Sequence, residues 1–174
     1  MSIILSWDVK PQYKSWSAEL LNAVTTRLES LEQGNPKQFI VGYSGLSADN
    51  KIKFWSEIII AMIKFESDFN PHSIYHEPPP LGVDSIGLLQ LSYEDRNLYH
   101  LEPLDKNNKS LEDPLVNIRC GLTIFAHWME KDRVVASGSG GSSRGSARYW
   151  SVMREGANHH VAQIRSHAKN AVGL

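Results

Sequence analysis

The chain has 174 residues, 41% of them apolar, enough for one domain with a substantial core and too few for two independent ones. Its 18 basic and 19 acidic residues leave a formal net charge of −1, which argues against duplex nucleic acid as the main partner. The single cysteine, Cys120, excludes an internal disulfide and, at an apolar helix position, reads as a small core group.

In chain order, the stretch MSIILSWDVK holds three consecutive strongly apolar residues before Asp8 and no basic flank, so neither a signal peptide nor a membrane span is expected. From Ser17 to Gln33, Leu20, Leu21, Val24, Leu28 and Leu31 recur at helical spacing, with Ser15 or Ser17 as cap and Gly34, Asn35 and Pro36 as stop. A connector follows, and then Ser47 or Asp49 caps a helix over about 50–67. This helix is apolar around most of its circumference and therefore buried, yet it carries Glu66 in its last turn. The helix dipole and desolvation both raise the pKa of a carboxyl placed there, and a carboxyl protonated near neutral pH is what general acid catalysis needs.

Asn70 and Pro71 stop that helix. The prolines of SIYHEPPPLGVDSIG exclude helix and predict a loop with room for a short strand pair, while GLLQLS at 87–92 fits strand or a first helical turn equally well. Asp113 and Pro114 start a third long helix with Leu115, Ile118, Leu122, Phe125 and Trp128 on its apolar stripe. SGSGGSSRGS at 137–146 reads as a flexible loop, ARYWSVM as a short helical element and HHVAQIRSHAKNAV as a closing helix. From residue 130 onward seven basic residues face three acidic ones, which fits a solvated face or an anionic polymer partner.

Four motifs in this order carry a resemblance. Glu66, Ser67, Asp68, Phe69, Asn70 and Pro71 resemble the E-S-x-F-x-P signature of soluble lytic transglycosylases and their goose-type lysozyme relatives. Gly87, Leu88, Leu89 and Gln90 resemble the G-L-M-Q segment of that family, DPLVNIRCG at 113–121 resembles its D-P-x-x-N-I-x-x-G helix start, and Ala147 with Tyr149 is similar to its closing A-x-Y motif. The resemblance spans about 54–153. It implies an α+β, predominantly helical lysozyme-like fold, with a small loop or β region between the catalytic helix and G-L-L-Q, forming one domain over 1–174. Residues 1–46 are then an N-terminal helical extension packed on that domain.

The resemblance further implies cleavage of the β-1,4 bond between N-acetylmuramic acid and N-acetylglucosamine in peptidoglycan glycan strands, without metal or organic cofactor. It places the enzyme in the periplasm or outside the cell and leaves its oligomeric state open. Glu66 is implied as the catalytic acid and then base, and Ser67 as a helper contacting saccharide or the Glu66 carboxyl. Gln90 is implied as a substrate-binding amide, and Tyr149 as a hydroxyl orienting Glu66. Hydrolysis needs a second carboxylate. The goose-type position two residues after G-L-L-Q is Ser92 here, and Asp84 does not match the pattern residue for residue. The expected reaction is therefore lytic transglycosylation to 1,6-anhydromuramoyl ends, with hydrolysis at Asp84 and an inactive glycan-binding module as alternatives. The insertion between Pro71 and Gly87 places Tyr75, His76, Glu77 and Asp84 near the cleft, where an acidic pair can hold the free amine of deacetylated glucosamine. His72, His76, Glu77 and His100 lack the spacing of a metal-binding helix, so no metal is expected.

Overall fold

The computed structural model describes residues 3–174. Its helices are α1 (Lys14–Thr26), α2 (Leu28–Glu32), α3 (Pro36–Phe39), α4 (Ala48–Ser67), α5 (Asp95–Leu98), α6 (Pro114–Asp132) and α7 (Val161–Ala171). Two small antiparallel hairpins accompany them, β1 (Ile74–His76) with β2 (Asp84–Ile86), and β3 (Ala136–Ser137) with β4 (Arg144–Gly145). This is the expected α+β, mainly helical arrangement.

The central element is α4. Ser47 caps it by accepting from the Asn50 amide, and every residue from Phe54 to Ile63 is buried, so the helix runs through the core rather than along its surface. It packs on α1 and α7, while α1 and α2 also pack on α6. Each fully buried Ile, Phe or Met in this run contributes roughly 1.5–3 kcal/mol of transfer free energy. One core cluster extends from Leu5 to Ala168, so the residues before Ala48 share it with the rest. Glu57 interrupts the apolar run, fully buried, and its carboxylate accepts from the Ser6 amide at 2.8 Å and the Ser6 hydroxyl at 2.6 Å. His167 Nε2 lies 2.7 Å from it, so one side chain joins the N-terminal segment, α4 and α7.

Three local expectations are corrected. The single helix over 17–33 is broken at Arg27, because Thr25 and Thr26 turn their hydroxyls back onto the Leu21 and Asn22 carbonyls, a contact that loosens a helix. Ser17 is no cap: it lies inside α1, accepts from Trp7 Nε1 at 2.7 Å and donates to Asp8. The Gly/Ser-rich stretch 137–146 is tied down rather than loose. The Gly145 amide donates to the buried Asp132 carboxylate at 2.7 Å, and Ser146 donates through its amide and hydroxyl to the Val135 carbonyl. Gly145 has φ +63°, and a Cβ there would sit 2.3 Å from the Val134 carbonyl oxygen, so this glycine serves a tight turn.

Candidate active site

Glu66 stands in the last turn of α4, which Asp68 closes in the left-handed conformation with its amide donating to the Lys64 carbonyl. Phe69 is also left-handed (φ +63°) and packs against Trp7 and Tyr13, with ring centroids 6.2 and 5.8 Å away. The chain thus leaves α4 sharply, and Glu66 is left at the edge of a cleft of 810 Å³. Its Oε1 is sealed from solvent and has no hydrogen-bond partner among the described residues. Burial, and then the charge of Glu77, push its pKa from the ordinary 4.5 up to about 7, against a smaller downward pull from Arg154. A recess of 460 Å³ between α4, α7 and the N-terminal segment includes no Asp or Glu among its lining residues.

The segment Gly87–Gln90 forms a tight turn held from below by α6. Asn117 Oδ1 accepts from the Leu89 amide at 2.8 Å, and its Nδ2 donates to the carbonyls of Ile86 at 3.0 Å and Leu111 at 2.9 Å. Gly87 has φ +80°, and a Cβ there would meet Asn117 Nδ2 at 2.3 Å; one on Gly121 would meet Leu89 Cδ1 at 2.2 Å. The glycine and asparagine of the two motifs therefore exist to let this turn lie directly on α6. Ser67 belongs to the same fastening. Its hydroxyl donates to the Leu88 carbonyl at 2.9 Å and bridges back to Ile63, so it touches neither the Glu66 carboxyl nor the open cleft. Gln90 lines the cleft, but its amide nitrogen is used on the Ser73 and Gly87 carbonyls, which leaves its oxygen as the group facing a ligand.

Tyr149 also lines the cleft, but its hydroxyl donates to Asp95 rather than to Glu66. Burial and the neighbouring carboxylate hold the phenol well above its ordinary pKa, so it remains a donor. Asp95 is a cleft residue that the sequence reading missed. It caps its own turn through the Ser92 amide at 2.9 Å, and no local pattern distinguishes it from an ordinary capping aspartate. Trp150 is buried, donates its indole N–H to the Leu89 carbonyl at 2.9 Å, and forms part of the cleft wall.

The β1–β2 hairpin forms one side of the cleft. Tyr75 lies on it, 56% exposed, with no side-chain hydrogen bond or ring pair among the described residues, and lines the opening. Asp84, the sequence candidate for the second carboxylate, pairs with His76 across the hairpin at 2.5 Å and is not among the cleft-lining residues. Glu77 is. It follows β1 directly, its amide donates to the Val83 carbonyl, and its Oε1 accepts from Ser85 at 2.9 Å. Of the cleft carboxylates, Glu77 is the one whose charge reaches Glu66. Alternation along β1 decides the swap: residues one apart face opposite sides of a strand. Among the described residues no group of three or more His, Cys, Asp or Glu is placed to hold a metal ion.

Residues 46–137 match the family described as the Transglycosylase SLT domain. The chain belongs to this family. Three solved structures of DslA share the whole fold. The wild-type form is 32% identical with a TM-score of 0.83, covering 97% of this chain and 96% of that one. Two glutamate-to-glutamine variants are each 31% identical, with TM-scores of 0.83 (98% and 97% covered) and 0.76 (97% and 96% covered). The two glutamates replaced lie eleven residues apart in DslA, the separation of Glu66 and Glu77 here. No curated protein matches the chain. Membership implies a peptidoglycan substrate and glycosidic bond cleavage, and no helix among the described residues is long and apolar enough to cross a membrane.

Proposed function

We propose that the protein cleaves the β-1,4 bond between N-acetylmuramic acid and N-acetylglucosamine with Glu66 as proton donor, and that Glu77 supplies the second carboxylate. The observation that carries this reading is the pair itself: a desolvated Glu66, unpartnered at Oε1, with the Glu77 carboxylate acting on it across the cleft. Glu66 gives its proton to the glycosidic oxygen as the C1–O bond breaks, and positive charge develops at C1 and the ring oxygen. Glu77, ionised, stabilises that charge and takes a proton from the water that adds to C1. Proton donation of this kind is typically worth about 10² to 10⁴ in rate.

Transglycosylation is the expected reaction where no second carboxylate stands near the motif. With Glu77 in the cleft, water becomes the expected acceptor and reducing muramoyl ends the expected product. Anhydro ends require the muramic acid 6-hydroxyl to attack C1 instead, with Glu66 as base. A carboxylate on the cleft wall can also accept a charge-assisted hydrogen bond from the free amine of deacetylated glucosamine, and Glu77 is our candidate for that contact. The place of action is where peptidoglycan lies, outside the cytoplasmic membrane.

Mass spectrometry of products released from acetylated and deacetylated sacculi tests these points together. Reducing ends from the parent protein, and no release by E66Q, are expected. Anhydro products, lighter by one water, would remove Glu77 from the chemistry. Undiminished digestion by E66Q would remove Glu66.

A further inference from the structure

Arg148 and Arg154 line the cleft, Arg144 is close to Arg148 in the chain, and two of the three are already engaged. Arg148 holds the Asp132 carboxylate through Nε at 2.6 Å, and Arg144 donates to the Asp132 backbone carbonyl at 3.1 Å. Arg154 differs. Its Nε donates to the Ala147 carbonyl at 3.1 Å, which fixes the guanidinium plane, while its terminal nitrogens have no carboxylate partner among the described residues and the side chain lines the cleft. It is half-buried, so water satisfies those donors only in part.

Arg154 does not serve bond breaking. Its charge favours ionised Glu66, against the protonation that an acid needs, and it disfavours a transition state that is itself cationic. A cation costly to the chemistry, oriented and unpaired in a substrate cleft, is explained by an anion that arrives with the substrate. On a glycan strand of alternating glucosamine and muramic acid the sugar rings carry no negative charge. The strand's anionic groups are the carboxyl of the 3-O-lactyl arm where muramic acid carries no peptide and, where a peptide is amide-linked to that carboxyl, the carboxyls of the peptide itself.

We infer that Arg154 is a specificity-determining residue that binds the free lactyl carboxylate of a muramoyl unit carrying no peptide, bidentate through its two terminal nitrogens, and so sets which sugar of a peptide-free strand lies beside Glu66. Alternating strands offer two kinds of β-1,4 bond, and a fixed cation on one wall admits the muramoyl unit in one register only. The inference rests on the peptidoglycan reading given above.

Binding in the E66Q background, where ligand is not consumed, tests it with two tetrasaccharides: one of alternating N-acetylglucosamine and N-acetylmuramic acid with free lactyl carboxyls, and chitotetraose, which has none. By calorimetry the muramoyl ligand is expected to bind at least tenfold tighter and to weaken as salt rises. Adding R154Q should bring it to the level of chitotetraose, with R154K intermediate because it keeps the charge but loses the fork. If both ligands bind equally, or if R154Q leaves the preference intact, the inference fails while the glycan reading stands. If neither ligand binds, the peptidoglycan reading fails and takes the inference with it. Melting curves of the variants exclude loss of fold as the cause.

Discussion

Replacing Glu66 with glutamine should stabilise the protein at neutral and alkaline pH while abolishing cleavage. In the unfolded chain Glu66 titrates near 4.5, and in the fold near 7, so the native state holds a proton that the unfolded state releases between these values. Native stability is therefore complete below about pH 4.5 and falls as pH rises through 7, by a ceiling of about 3 kcal/mol. Residual wetting of the cleft mouth reduces this toward 1–2 kcal/mol, by the same order-of-magnitude reasoning. Glutamine fills the same volume and has no charge to desolvate. The expected signature is a melting temperature that matches the parent near pH 4 and exceeds it by a few degrees at pH 8, at about 2–4 °C per kcal/mol for a chain of this size. Calorimetric melts of both proteins from pH 4 to 8 measure it. A difference that does not change with pH, or a variant less stable at pH 8, would refute the desolvated-acid argument.

Glu77→Gln removes a charge that raises the Glu66 pKa, so the alkaline fall of kcat/KM should move to lower pH while the maximum rate drops; an unmoved limb would detach Glu77 from Glu66. Asn117→Ala leaves the Leu89 amide and the Leu111 carbonyl without partners in the core, takes from the Ile86 carbonyl one of its two donors, and should cost about 3 kcal/mol by urea unfolding; a cost below 1 kcal/mol would mean that the turn is held elsewhere. Ser67→Ala should cost about 1 kcal/mol of stability and leave KM for glycan strands unchanged, because its hydroxyl is spent on Leu88; a raised KM would return it to the saccharide.

Much of the fold was legible because its signals are local. Ser47, Asp113 and Pro114 start their helices where capping chemistry says, and the uninterrupted apolar run before Glu66 marks a helix that crosses the core. The failures have causes that no start or stop residue marks. Nothing near Arg27 announces a break, because side-chain hydroxyls turning onto the backbone compete with helix geometry without a glycine or proline. The order in 137–146 depends on Asp132, which lies outside the segment. In the site, Glu66 was readable from its own helix. The choice between Asp84 and Glu77 depends on which face each strand residue presents, and Asp95 on a partner 54 positions away, Tyr149. Ser67 shows the opposite error: a side chain placed in the chemistry by its neighbour's role turns out to be a fastener.

The Asn117 anchorage has a further consequence. It holds the base of the β1–β2 hairpin and the Gly87–Gln90 turn to α6 without touching the hairpin's tip, so 77–84 can change in length or charge while Glu66 keeps its place. In the mechanism proposed above, the proton donor belongs to the scaffold, and the group that selects between water and the sugar's own hydroxyl rides on a replaceable part. Reaction outcome on this fold would then be a graftable trait: on that mechanism, exchanging one short hairpin, with the core untouched, offers a route from one product end to the other.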